Sequence, residues 1–311
     1  MLMENKRKPT VTIVGSGICG MFTGLALDQR GFDVTVIERD IPPPDCSANE
    51  AFFSWSRRGV AQFRHPHAFL GLMCSVLEEN YPDLLEHFFE AGARKVSFED
   101  SVPDHLKSQY QPEPGDEKMW VLMCRRATME TVLRKYVTQT SSVNIRNQIS
   151  VTGIIANSND DREVVMQGLK LVDRSDNDKR SELYSDLIID ATGRSSKFDR
   201  WLKDYGVEIN EERDDAEIVY YTRHYCLKDG IPEPARDAKN PSMGDLGYMK
   251  YGIFPGDGGH FALIICLPNE EKELREAIKN GQKFDQIGMT IPGLRPWLSP
   301  DKSDATTSPF G

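Results

Sequence analysis

VTIVGSGICGMFTGLALDQRGFDVTVIERD, residues 11–40, is the stretch from which the rest of the chain is read. Val11–Val14 is a short apolar run that predicts a buried strand. Three glycines follow, Gly15, Gly17 and Gly20, and then Met21–Gln29 carries small and apolar residues at helical spacing, with Gly31 placed to close the helix. Val34–Ile37 predicts a second strand. In a unit of this kind each glycine has its own task. Gly15 permits the tight turn off the strand, Gly17 lets a pyrophosphate come close to the backbone, and Gly20 lets the helix pack closely on the strand. The helix N-terminus then presents unpaired N–H groups and a positive dipole end to phosphates. Glu38 ends the second strand, where its carboxylate is placed to accept hydrogen bonds from both hydroxyls of a ribose. A tight strand–helix connection without a ligand is the competing reading. The strand before, the helix after and the acid at the right distance favour the nucleotide. Gly24, a fourth glycine, and Arg39, directly after the acid, favour FAD over NAD.

Working outward, Pro42–Pro44 predicts a turn and 46–64 shows no clear period. Ala68–Tyr81 predicts a helix with Leu70, Met73, Val76 and Leu77 on one face, and Thr128–Thr138 a second with Met129, Val132, Leu133 and Tyr136. Lys107–Lys118 reads as a loop. Residues 149–172 read as strands broken by a polar turn at 157–162, and 173–182 as another exposed turn. Leu187–Ile189 predicts a buried strand running into Asp190-Ala191-Thr192-Gly193. Beyond Tyr205 three β-like runs follow, 217–227, 248–254 and 261–267, with Lys272–Lys279 as a short helix and 299–311 as loop. The expected class is α/β: a Rossmann-like FAD-binding domain over 1–205, with an inserted segment at 50–120. A second, mostly antiparallel β layer covers 206–290, and 291–311 is an incomplete return segment.

The chain has 311 residues, a formal net charge of −10 and a pI near 5.2, with no basic stripe that would track a phosphate backbone, so nucleic acid is not an expected partner. Six scattered cysteines without a CxxC pair read as reduced thiols in a cytoplasmic protein. The basic start, 1–10, leads into a glycine-bearing apolar stretch with no small-residue cleavage site, and so reads as folded structure rather than a signal peptide. No segment has the roughly 18 apolar residues of a membrane span.

With Glu38-Arg39 in place, the chain resembles the flavoprotein monooxygenases of the para-hydroxybenzoate hydroxylase type, a family of aromatic hydroxylases and epoxidases. Arg125-Arg126-Ala127-Thr128-Met129-Glu130 is similar to the family segment in which an arginine reaches the cofactor, Arg126 being the better match. Residues 185–196, SDLIIDATGRSS, are similar to the second cofactor signature, and 58–70, RGVAQFRHPHAFL, to a segment of one branch. The resemblance implies FAD bound by Gly15, Gly17, Ile18, Cys19, Gly20, Glu38, Arg39, Arg126, Asp190 and Gly193. It also implies NADH or NADPH as reductant, and transfer of one oxygen atom of O2 to a small aromatic or alkene substrate. The family's third signature, Gly-Asp followed by Ala, is not found: Gly115-Asp116, Gly244-Asp245 and Gly256-Asp257 stand in other contexts. On that pattern the chain reads as C-terminally shortened, and an inactive or weakly active FAD/ADP-binding remnant is the alternative function.

The remaining candidates are weighed against plainer roles. Arg57 and Arg58 read as a solvated pair, with approach to the flavin or to an acidic substrate as the other possibility. His65 and His67 read as helix caps or as lining of the flavin pocket. No third ligand stands at usable spacing, so no metal is expected. Tyr221, Arg223 and Tyr225 share one face of a strand and either cover substrate, as the resemblance implies, or simply follow the preference of aromatic residues for strands. Asp190 and Gly193 could equally form an ordinary turn. Arg126 could be a solvated arginine, though its place in the first turn of a helix asks for a partner. No Ser-His-Asp set or carboxylate pair is evident, in keeping with chemistry carried by a cofactor.

Overall fold

A computed structural model of the chain describes residues 7–158 and 163–311. Residues fall into two compact units, Met1–Phe63 with Met129–Arg213, and Arg64–Thr128 with Asp214–Gly311. The segment 64–128 thus belongs with the later β-rich part of the chain, and the later limit of the first unit is Arg213.

The first unit is built on a four-stranded parallel sheet in the order Leu187–Asp190, Thr10–Val14, Asp33–Ile37, Asn144–Arg146. The first strand is central and buried, as its run of apolar residues requires. The helix Ile18–Asp28 returns the chain to the second strand. It closes at Gly31, whose φ of 83° is open to glycine and whose N–H reaches Asp28 O at 2.9 Å. A separate antiparallel sheet, Ile149–Ser158, Val164–Asp173 and Lys179–Tyr184, packs Ile154, Leu169 and Leu171 against Val14 and Ile37. Its last strand begins within what the sequence reads as a turn. The turn is confined to 174–178, with Asn177 and Asp178 at positive φ, and the charged strand after it forms an exposed edge. Of the turn expected at 157–162, residues 159–162 lie outside the described residues.

The second unit holds a five-stranded antiparallel sheet in the order Met243–Asp245, Lys250–Pro255, His260–Pro268, Ile218–Leu227, Ser303–Ala305. Helix Gly281–Thr290 adds Phe284 to a core with Tyr225, Phe261, Leu263, Ile265 and Trp297. The stretch 299–311 is not plain loop: Ser303–Ala305 pairs with Tyr225–Leu227, and Phe310 bridges to Thr222. A three-stranded sheet, Ala68–Phe69, Val121–Met123 and Arg94–Val96, completes the unit. Here the expected helix 68–81 is shortened to Gly71–Asn80, because Ala68 and Phe69 pair with Met123 and Leu122. Cys74 and Leu77 are its buried residues, while Leu70 and Val76 are exposed.

The α/β class with a Rossmann-like parallel sheet and additional antiparallel sheets is the one the sequence predicts. Among the described residues no helix is long and apolar enough to cross a membrane.

Candidate functional site

The glycine turn is held in its shape by contacts that exclude side chains. Gly15 has φ of 107°, and a Cβ there would stand 2.5 Å from Ala191 O. A Cβ on Gly20 would stand 1.9 Å from Gly15 O, closer than any real contact. Gly17 differs: it is the N-cap of the helix, nothing lies within 4 Å of its Cβ position, and no side chain caps the first N–H groups. The turn therefore ends in an open set of donors at the positive end of an eleven-residue helix, which suits an anion. Parallel pairing of Val14 with Asp190 brings the 190–193 segment to the same turn, with Ala191 N–H donating to Val14 O at 2.8 Å. Asp190 is engaged locally, accepting from Thr192 N–H at 2.9 Å, from the Thr192 hydroxyl at 2.5 Å and from the Ser196 hydroxyl. Gly193 has φ of 69° and open space around its Cβ position.

Below the turn lies a buried charge cluster. The Glu38 carboxylate accepts on Oε2 from Ser16 N–H at 3.0 Å, from the Ser16 hydroxyl at 2.6 Å and from Arg57 Nη1 at 3.0 Å. Its Oε1 accepts from Asp40 N–H at 2.9 Å. Arg57 also donates to Asp40 Oδ2 at 3.1 Å and, through Nε, to Glu130 Oε2 at 3.0 Å. The Ser16 hydroxyl accepts from Arg134 Nη1 at 2.7 Å, and Arg134 Nη2 donates to Asn147. Burial alone would raise the Glu38 carboxyl, but the Arg57 charge, and then the donors of Ser16 and Asp40, hold it down at about 2. Burial lowers Arg134 to about 10, against the pull of Glu38.

Two expectations change here. Arg57 is not a solvated residue: its side chain is 1% exposed and ties three carboxylates together. A buried guanidinium needs that many acceptors, and its directed donors supply the geometry. Glu38 is not an open carboxylate facing outward, because protein donors already fill most of its acceptor sites. Arg39 lies outside the cluster, exposed, with Nη2 3.4 Å from Arg58 O.

Arg126, His65, His67, Tyr221 and Arg223 all fall in the second unit. Neither histidine caps a helix, since the helix after them starts at Gly71 with Leu70 as N-cap. His67 Nδ1 donates to His65 O at 2.8 Å, which leaves Nε2 of the neutral ring as the acceptor for Arg126 Nη1 at 3.3 Å. His65 Nδ1 lies 2.7 Å from the Thr222 hydroxyl, and its ring meets Tyr220 edge-on. Burial lowers both histidines, with the His67 charge adding to it at His65 and the Arg126 charge at His67. Arg223 is held by Gly281 O at 2.6 Å, Thr307 O at 2.9 Å and Asp285 Oδ1 at 2.6 Å, while Tyr221 belongs to the core.

Several residues escaped the sequence reading. Arg134, Asp40 and Glu130 complete the cluster around Arg57. His224, fully buried, stands 2.5 Å through Nε2 from Arg64 O and stacks on Phe310. Arg125 pairs with Asp257 in a buried fork, Nη2 to Oδ2 at 2.6 Å and backbone N–H to Oδ1 at 2.7 Å. This gives the Gly256-Asp257 pair its role. Of these, only the adjacency of Arg125 to Arg126 was visible beforehand. Among the described residues no group of three or more His, Cys, Asp or Glu side chains could hold a metal ion.

A family model described as an NAD(P)-binding Rossmann-like domain matches residues 13–88. The protein Rv3254 of Mycobacterium tuberculosis is 24% identical over 245 residues, covering 72% of this chain and 46% of that protein. The chain thus spans about half the length of this curated relative. Among solved structures, PqsL from Pseudomonas aeruginosa, a probable FAD-dependent monooxygenase, is 13% identical with a TM-score of 0.63, over 97% of this chain and 73% of that one. The flavin-dependent brominase Bmp2 is 17% identical with a TM-score of 0.62, over 97% of this chain and 66% of that one. At these identities the likeness is one of fold.

Proposed function

We propose that the chain is an FAD-dependent oxidoreductase, most simply a monooxygenase of the para-hydroxybenzoate hydroxylase type. It passes one oxygen atom of O2 to a small aromatic or alkene substrate at the expense of NADH or NADPH. The observation that carries the reading is the glycine turn: open N–H donors at Gly17 and the helix start, with the Asp190–Gly193 segment brought to the same turn by strand pairing. The residues present fit an adenine dinucleotide, since the space a Cβ would fill at Gly17 is free and the turn's other glycines are fixed by contact. The second signature at 190–193 favours FAD over a nicotinamide dinucleotide in this turn. The names of the similar structures, an FAD-dependent monooxygenase and a flavin-dependent brominase, support flavin chemistry.

On this reading the flavin supplies the redox chemistry when bound, and the chain's residues bind and orient it and keep water from the reacting atoms. The helix start holds the pyrophosphate and Glu38 the ribose. Six free thiols among the described residues accord with a cytoplasmic setting.

The test is an absorbance spectrum of the purified chain, taken after incubation with excess FAD and removal of the unbound fraction. Near-stoichiometric flavin bands support the reading, and product analysis with NADPH and a panel of phenols and alkenes then tests oxygen transfer. A colourless protein that takes up no flavin sinks it.

A further inference from the structure

We propose that Glu38 holds only one hydroxyl of the adenosine ribose, so that the site distinguishes the 2′ position from the 3′ position instead of gripping both. The inference rests on reading the glycine turn as an adenine-nucleotide site, and goes beyond it by assigning a specificity to one carboxylate oxygen. A carboxylate offers about four lone-pair sites, two to each oxygen. Glu38 Oε2 already receives three donors: Ser16 N–H at 3.0 Å, the Ser16 hydroxyl at 2.6 Å and Arg57 Nη1 at 3.0 Å. That oxygen is saturated. Oε1 receives only Asp40 N–H at 2.9 Å and keeps one acceptor site.

The donors on Oε2 cannot easily give way to a ligand. Ser16 N–H belongs to the glycine turn, whose path is fixed by Gly15 and Gly20. The Ser16 hydroxyl is held from its other side by Arg134 Nη1 at 2.7 Å, which directs its proton to Glu38. Arg57 is fastened at the same time to Asp40 and Glu130, and moving it would strand two further buried carboxylates. A ribose diol reaching Glu38 thus finds one vacancy. Its second hydroxyl faces an oxygen already crowded with protons.

The test is calorimetric binding of ADP, 2′-deoxy-ADP and 3′-deoxy-ADP to the purified full chain. One deoxy analogue is expected to bind within about 2-fold of ADP. The other is expected to lose about 10-fold or more, the usual effect of removing a hydrogen bond to a charged group. Comparable losses with both analogues overturn the proposal, and so does no loss with either. ADP that fails to bind at all instead refutes the nucleotide reading itself, which separates the two failures. Ser16→Ala sharpens the result: Oε2 keeps Ser16 N–H and Arg57 Nη1, two donors for two lone-pair sites, so the discrimination between the analogues should persist. A Ser16→Ala protein that no longer discriminates between the analogues counts against the acceptor count.

Discussion

In the first unit the buried polar cluster at the glycine turn is built around charged side chains. In the second, the buried polar side chains behind the long strand Ile218–Leu227 include neutral rings. Arg57 serves Glu38, Asp40 and Glu130 at once, and every carboxylate in that group has a directed donor. His224 and His260 instead sit uncharged, each lowered to about 4 chiefly by burial, with the nearby Arg125 charge adding to it. The second unit keeps one charge pair of the same quality, Arg125 with Asp257, whose carboxyl stays ionised against its burial because Arg125 faces it. The contrast shows two ways of keeping polar atoms inside a protein. Carboxylates are buried where guanidinium donors can saturate them, and imidazole is buried where the neutral form suffices.

The sharpest break in the comparison comes at the turn itself. Gly20→Ala places a methyl 1.9 Å from Gly15 O and is expected to cost on the order of 4 kcal/mol or more and to abolish nucleotide binding. Gly24→Ala, one helical turn on, meets only ordinary contacts at 3.6 Å with Val36 and Val143, and should be neutral or stabilising by up to about 1 kcal/mol. Paired thermal melts and ADP titrations check both, and a stable, binding Gly20→Ala protein refutes the packing argument.

Next in size is loss of the central cations. Arg57→Met and Arg125→Met each strand buried carboxylate and are expected to cost about 3–5 kcal/mol in urea unfolding. If the clusters differ as described, Arg57→Met also lowers ADP affinity while any surviving Arg125→Met protein keeps it. Equal effects on binding would erase the distinction.

Acid separates the units further. A histidine lowered from 6.5 to about 4 costs nothing above pH 6.5, and destabilises the fold progressively as pH falls toward 4, because only the unfolded chain takes up the proton there. The size is on the order of 3 kcal/mol for the deeply buried His224, and smaller for His260, where solvent screens more of the charge. Glu38, lowered from 4.5 to about 2, has the opposite assignment: its contribution is intact above pH 4.5 and fades only between 4.5 and 2. Hydrogen exchange, corrected for intrinsic rate, should therefore show protection lost in 218–268 between pH 6.5 and 4.5 while 10–37 holds. Simultaneous loss would count against the comparison.

The smallest expected effect is Ser47→Ala. Ser47 and Glu50 form a capping box on helix Ala48–Ser54, and removing the hydroxyl should cost about 1 kcal/mol by thermal melt.

That helix also marks how far the sequence could be read. Ser47-x-x-Glu50 is a local start signal, yet the stretch shows no clear period, because its buried residues are only Ala51 and Phe52. The glycine turn was legible because every requirement lies within thirty contiguous residues. Arg57 was not, since its partners lie at 38, 40 and 130 and nothing local tells a buried guanidinium from a solvated one. Ala68–Phe69 and Ser303–Ala305 are strands only by virtue of partners, Leu122–Met123 and Tyr225–Leu227, which no period within two or three residues can announce. Glu38 stands directly after the strand Asp33–Ile37, close to where the sequence places it. Its protein donors Ser16 and Arg57 could not be read locally, because they reach it through the fold.

The order of the parallel sheet has a consequence for how the chain comes off the ribosome. Thr10–Val14 is made first but lies inside the sheet, and its partner on one side, Leu187–Asp190, is made roughly 150 residues after the second strand. At about 5–20 residues per second, the nascent glycine turn waits roughly 10–30 s for the strand that closes it. During that time the whole of 64–128, which belongs to the other unit, passes through the exit tunnel. Until Asn144–Arg146 is made the fragment has two strands with both edges unpaired, and from then until Leu187–Asp190 the apolar edge of Thr10–Val14 stays open for a holding chaperone to meet, so the part of this chain most readily read from sequence is closed long after its own residues are made.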